Sequence, residues 1–155
     1  MGSLEIVFAI AILILSVVIH EAAHGFAGNS LGDPTAKLEG RLTLNPLKHL
    51  DLTGSVIVPV FTYFLGGFIF GWAKPVPYNP YNINHKWGDA IVAGAGPLSN
   101  FLLAIVFGLI LRFNTLSPFL NEAAVSLIVL IVFINILLAV FNLIPIPPLD
   151  GSKIL

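Results

Sequence analysis

Cysteine is absent from the 155 residues, so the chain holds no disulfide, no thiolate metal site and no cysteine nucleophile. Charge is scarce as well, at 10% of residues against about 25% in an ordinary soluble domain. The few charges nearly cancel, seven Lys and Arg against eight Asp and Glu, which leaves no basic surface to hold a nucleic-acid backbone. Internal repeats, low-complexity tracts and flexible linkers are also missing. What is present is hydrocarbon: 57% of residues are hydrophobic and the mean hydropathy is +0.96. Such a chain is composed for lipid, and at roughly 20 residues per helical crossing it has room for about three or four spans and no soluble domain beside them. Any metal must be held by His, Asp or Glu.

The first apolar run, residues 4–19, lacks a basic leader and passes without a cleavage-like site into His20, so it reads as a span and not as a signal peptide. Counted to Ala27 the helix is about 24 residues, or roughly 36 Å. Gly28, Asn29, Gly32, Asp33 and Pro34 stop it. Lys37, Glu39, Arg41 and Thr43 then alternate with Leu38, Gly40, Leu42 and Leu44, the period-2 signature of a strand with one wet face. Residues 56–70 are apolar but hold Pro59, Gly66 and Gly67. At about 22 Å as a helix they fall short of a core of about 30 Å, which suggests a re-entrant or interfacial segment. Trp72, Lys74, Pro75, Pro77, Tyr78, Pro80 and Tyr81 form a rigid interfacial loop. Residues 90–111 and 123–144 are two further spans; the first is interrupted by Gly94, Gly96 and Pro97, and the second carries Asn135 and Asn142 on nearly one face. The expected fold is an all-α polytopic membrane protein of about three transmembrane helices, with a re-entrant segment and a short membrane-associated strand. The sequence stops where Ser152 onward could start another helix, which leaves room for a longer natural chain.

His20 and His24, four residues apart, project from one face of the first helix, with Glu21 about 60° away around the same axis. Two imidazoles in this spacing supply neutral nitrogen ligands to zinc, and the carboxylate sits where it can take a proton from an activated water. Ionisable groups at membrane depth cost at least about 2.5–3.5 kcal/mol each and persist mainly for function, so three within five residues point to a site rather than to packing. A third ligand is needed. Glu5 lies at the far end of the helix, Asp33 and Asp51 are in polar loops, Glu39 and Asp89 neighbour basic residues, and Glu122 complements a helix start. Asp150 follows the Pro-rich exit from the last span and is the best placed, although an Asp-Gly turn alone would also explain it.

Topology bears on that choice. The His pair and Asp150 each follow the C-terminal end of a span, so they share a side only if residues 56–70 do not cross. Lys37, Arg41, Lys48, Lys74, Lys86 and Lys153 then face Arg112 alone, and the positive-inside rule makes their side cytoplasmic.

These residues resemble the site-2 proteases, a family of intramembrane zinc metalloproteases. His-Glu-Ala-Ala-His at 20–24 looks like the family's zinc motif, and Phe-Asn-Leu-Ile-Pro-Ile-Pro-Pro-Leu-Asp-Gly at 141–151 looks like its second motif. Gly-Pro-Leu-Ser-Asn at 96–100, Gly-Arg-Leu-Thr-Leu-Asn-Pro at 40–46 and Gly-Trp-Ala-Lys-Pro-Val-Pro at 71–77 match a compact, mostly prokaryotic branch. The resemblance covers nearly the whole chain, although nothing in it is similar to the PDZ or CBS domains that some members carry. It implies a single intramembrane metalloprotease core domain, 1–155, in a multi-pass cell-membrane protein. The cofactor would be Zn²⁺, held by His20, His24 and Asp150, with Glu21 as general base. Asn142 would bind substrate or the developing oxyanion; its competing role is a hydrogen bond to Asn100. The implied partners are transmembrane segments of other proteins, lipid and, as an open question, further copies of the chain. Asn135 is expected to be structural, and His49 and His85 to lie at the surface. The main alternative is an ion-transporting or metal-binding membrane protein without protease activity.

Overall fold

Ser3–Ser30 form α1, a helix of 28 residues without an internal proline. Apolar side chains are exposed all along its first half, Ile6, Phe8, Leu13 and Leu15 among them, the signature of a helix that lipid surrounds. After Glu5 in the first turn, polar residues return only from Ser16 onward. The computed structural model describes residues 3–51, 53–66, 73–116 and 119–154. Among them every regular element is helical. Three helices, Ile6–Ser30, Gly88–Thr115 and Glu122–Asn142, are long and apolar enough to cross a membrane.

After α1 the chain turns at Gly32, whose φ of 106° is available to glycine at no steric cost. It then forms one helical turn, α2 (Thr35–Leu38). This corrects the expected strand. Pro34 presets a helical φ at the entry, Asp33 Oδ1 accepts from the Thr35 amide and hydroxyl, and Gly40, with φ 64°, reverses the chain. Arg41 N then donates to Ala36 O at 2.8 Å. The alternating residues have no strand to pair with among the described residues, so their backbone groups are satisfied locally instead.

Thr53–Ile57 wind as one wide π turn that runs into α3 (Val58–Gly66). Residues 67–70 of the expected re-entrant stretch lie outside the described residues. What is described is one helical segment that does not double back, so the fold gives no support to a re-entrant path. Residues 73–79 form no regular element, in keeping with Pro75 and Pro77. Then come α4 (Gly88–Leu116), α5 (Glu122–Asn142) and the short α6 (Gly151–Ile154). Asn121 caps α5 by accepting from Ala124 N at 2.9 Å.

The packing centre is α4, which lies against both α1 and α5 and also meets α6, while α1 touches α5. Small side chains permit this: Ala22, Ala93, Ala104 and Ala139 are all buried. The C-terminal halves of α1 and α5 meet the N-terminal half of α4. Residues 31–87 therefore leave and return at one end of the bundle.

Two buried polar hubs hold that connection. Asp33, 1% exposed, also accepts from Asn79 N at 2.7 Å and Asn82 Nδ2 at 2.9 Å. Burial opposes ionisation of its carboxyl, but the hydrogen bonds from Thr35, Asn82 and Asn79 outweigh it and hold the group below the usual carboxylate range. Arg41, expected on a wet face, is buried. Its guanidinium donates to the carbonyls of Lys48, Lys74 and Pro75, a fan of donors that suits a planar fork. His49, expected at the surface, is buried as well; its Nε2 donates to Thr43 O at 2.9 Å and its own carbonyl accepts from Lys74 N. His85 is exposed, as expected. Arg41→Met is expected to free residues 73–79. Amide hydrogen exchange at Lys74 and Val76 should then accelerate at least about tenfold, since one charged hydrogen bond contributes about 1.5–3 kcal/mol, while α4 and α5 keep their protection. Unchanged exchange at those two amides would contradict the role assigned to Arg41.

Candidate metal centre

His20 and His24 lie one turn apart on α1, facing the small-residue stretch of α4, and Asp150 closes the triangle from the turn before α6. The two Nε2 atoms are 3.1 Å apart, and Asp150 Oδ2 is 3.1 Å from the first and 3.2 Å from the second. The opposite nitrogen of each ring is committed. His20 Nδ1 donates to Asn100 Oδ1 at 2.6 Å, and His24 Nδ1 donates to Val92 O at 2.7 Å. A carbonyl oxygen only accepts, so the Nδ1 atoms carry the ring protons and both Nε2 atoms present lone pairs.

Three lone-pair atoms therefore converge with no proton between them in the neutral pair, an arrangement that a cation resolves. Donor atoms of tetrahedral zinc, at about 2.0–2.1 Å from the metal, lie about 3.3 Å apart, close to the edges of this triangle. Gly96 supplies the space: a Cβ there would sit 2.6 Å from His20 Nε2 and nearer still to His24 Nε2. Two imidazoles, a carboxylate and an orienting acceptor behind each ring fit a catalytic zinc. Asp150 would join the set as a carboxylate. Burial opposes its ionisation, but hydrogen bonding and charge from His20 and His24, when either is protonated, hold its carboxyl well below the usual carboxylate range.

Glu21 points beside the triangle, and its Oε2 accepts from the backbone N–H of Val76 at 2.9 Å. Val76 is buried, and a Cβ on Gly25 would meet its Cγ1 at 3.0 Å and Leu42 Cδ2 at 2.8 Å. Gly25 is thus what lets residues 73–79 lie directly on α1. Between this segment and the helices is a cleft of about 410 Å³ into which His20, Glu21, His24 and Asp150 open, with Pro75 and Tyr78 on its other wall. Asn142 also lines it, with Nδ2 donating to Leu138 O of its own helix at 2.9 Å. Lys153 reaches across from α6 to lie 5.1 Å over the Tyr78 ring.

The structure thus brings together His20, Glu21, His24, Asp150 and Asn142. It leaves Glu39, Asp89 and Glu122 exposed and keeps Asp33 in its own hub. The competing role of Asn142, a hydrogen bond to Asn100, is not seen: Asn100 pairs with Asn135 at 2.8 Å. Three contributors escaped the sequence reading: the Val76 amide, the Val92 carbonyl and the missing side chain of Gly96. Two of them had a signal, Gly96 in the Gly-Pro-Leu-Ser-Asn motif and Val76 in the Gly-Trp-Ala-Lys-Pro-Val-Pro stretch.

The sequence profile of Peptidase family M50, the family of site-2 proteases, matches residues 8–121 and 113–155. Over 154 residues the chain is 37% identical to "Putative zinc metalloprotease YwhC" of Bacillus subtilis, an alignment that takes in 96% of this chain and 67% of that protein. It is 33% identical over 152 residues to "Putative zinc metalloprotease Rip2" of Mycolicibacterium smegmatis, covering 94% of this chain and 54% of that protein. The Rip2 of Mycobacterium tuberculosis is 28% identical over 145 residues. The chain thus spans about two thirds of the first relative and about half of the others. No solved structure matches it.

Proposed function

The chain belongs to peptidase family M50, and from that premise we propose that it is an intramembrane zinc metalloprotease that cleaves peptide bonds within or beside the transmembrane helices of other proteins. The observation that carries this reading is the convergence of His20 Nε2, His24 Nε2 and Asp150 Oδ2 on one point beside Glu21. Ion transport has no such use for a carboxylate aimed beside the metal position.

His20, His24 and Asp150 would hold the zinc. When bound, zinc supplies Lewis acidity toward water and the scissile carbonyl. Glu21 would take a proton from the attacking water as the C–O bond forms and the carbonyl electrons move to oxygen, and would return it to the nitrogen as those electrons fall back and the C–N bond breaks. The Val76 N–H fixes one carboxylate oxygen of Glu21 and leaves the other for this exchange. Asn142 lines the cleft and has one amide proton on Leu138 O; the rest of its amide would hold the substrate backbone or the developing oxyanion. A helical substrate must unwind to enter, because its carbonyls are already hydrogen-bonded.

The excess of Lys and Arg on the loops at the site's end of the bundle supports a multi-pass protein of the cytoplasmic membrane with the cleft on the cytoplasmic side. Residues 53–66, too short to span, would lie at that interface. The test is cleavage of a model single-span substrate by purified protein, wild type against Glu21→Gln at matched zinc loading. The variant should keep its zinc and lose about 10²–10⁴-fold in rate, the usual contribution of a general base. Equal cleavage by both proteins would overturn the role of Glu21.

A further inference from the structure

Behind His20 the hydrogen bonding continues into the bundle. Asn100 Nδ2 donates to Asn135 Oδ1 at 2.8 Å and to the Ser16 carbonyl at 3.3 Å. Asn135 Nδ2 donates to Ser16 Oγ at 3.0 Å and to the Ile131 carbonyl at 2.9 Å. Both asparagines are 0% exposed and sit where α1, α4 and α5 meet. The Ser16 and Ile131 carbonyls can only accept, so each amide has one permitted orientation. Both amide nitrogens and both amide oxygens are in use. Turned over, Asn100 would set its oxygen against two other oxygens at a fully buried position.

We propose that Asn135 is a positioning residue of the metal centre, which through Asn100 holds His20 in the Nδ1–H tautomer with its Nε2 lone pair directed at the metal position. The oxygen of Asn135 is the second of two acceptors that keep the Asn100 nitrogen turned away from His20. Without it one acceptor remains, the Asn100 amide is free to turn, and His20 gains access to the Nε2–H tautomer, whose proton points into the ligand triangle and cannot bind metal. His24 is independent of this chain, because its Nδ1 is held by Val92 O. Mutating the group that a metal-bound histidine donates to commonly changes metal affinity 10- to 100-fold, and Asn135 acts through that group, Asn100. The proposal makes α5, which supplies neither histidine, part of what defines the site.

The inference rests on the metal-centre reading, and its test separates the two. Zinc affinity is measured by competition with a chelator, and ring tautomers of the metal-free protein by ¹⁵N-histidine NMR in detergent, for wild type, Asn135→Leu, Asn135→Ser and Asn135→Asp. The Ser hydroxyl is taken up by the Ile131 carbonyl of its own helix and falls short of Asn100, so this variant cuts the link without leaving a lost donor on α5. The Asp side chain keeps an oxygen for Asn100. Leu and Ser should each weaken zinc binding at least about 10-fold and turn one histidine, His20, into a tautomer mixture while His24 stays unmixed; Asp should stay within about threefold of wild type. Wild-type affinity and a single His20 tautomer in the Ser variant overturn the proposal, even if Asn135→Leu fails to fold or melts early. Failure of the wild type itself to bind zinc would instead overturn the metal-centre reading.

Discussion

Gly96→Ala is expected to empty the metal centre while leaving the fold intact. The added Cβ would lie 2.6 Å from His20 Nε2 and from His24 Cε1, and nearer to His24 Nε2, where real Cβ atoms essentially never come within 3.0 Å. The rings cannot retreat freely, because each is tied through Nδ1 to a buried acceptor. Either the histidines turn away from Asp150 or α4 moves off α1. In both cases the three donor atoms lose their common point, and cleavage should fall at least about 100-fold, the cost of roughly 1 Å of misplacement. Zinc content by mass spectrometry should fall in parallel. Gly94→Ala is the matched control: a Cβ there meets nothing within 4 Å, and alanine is favoured over glycine inside a helix by about 0.5–1 kcal/mol. It should leave zinc and activity unchanged and raise the melting temperature slightly. Full zinc content in Gly96→Ala would refute the placement of α4 against the histidines.

The second large effect is expected at Gly151, where the obstruction is backbone. A Cβ there would lie 2.5 Å from the Leu143 carbonyl carbon and 2.6 Å from the Ile144 oxygen, with the Leu143 oxygen closer still. No rotamer change relieves such a clash, so the turn from Leu143 to Asp150 must open. Asp150 moves with it. Gly151→Ala should therefore keep the histidine pair and lose the carboxylate, which weakens zinc binding instead of abolishing it and lowers cleavage by about 100-fold. A zinc titration gives the distinction: at saturating metal Gly151→Ala should load and Gly96→Ala should not. Wild-type affinity and rate in Gly151→Ala would show that the turn tolerates the displacement.

The parts of this molecule legible from its sequence are those that lipid dictates. α1, α4 and α5 were readable because a segment in hydrocarbon must satisfy its backbone internally, which leaves a long uninterrupted apolar run as its mark. His20 and His24 were readable because helical periodicity puts i and i+4 on one face, and Asp150 stood out because few other carboxylates could reach them. Residues 37–44 misled for a physical reason. Alternation signals a strand only where another strand offers hydrogen bonds, and here Pro34, Asp33 and Gly40 turn the chain before any pairing. The burial of Arg41 was equally hidden, since it is created by carbonyls of Lys74 and Pro75, 33 and 34 positions away. Asn135 was read as structural, and its bond to Asn100 joins helices whose register no local pattern encodes.

The first histidine and the aspartate that meet at the centre are 130 positions apart, His20 on α1 and Asp150 in the turn beyond α5. At about 5–20 residues per second, a ribosome needs on the order of ten seconds to deliver the second after the first has entered the membrane. During that interval the nascent chain carries an exposed histidine pair but no carboxylate to complete the set. A site assembled from positions so far apart is thus incomplete through most of its own synthesis, and its ligand set closes only once α5 and the turn that follows it are in place.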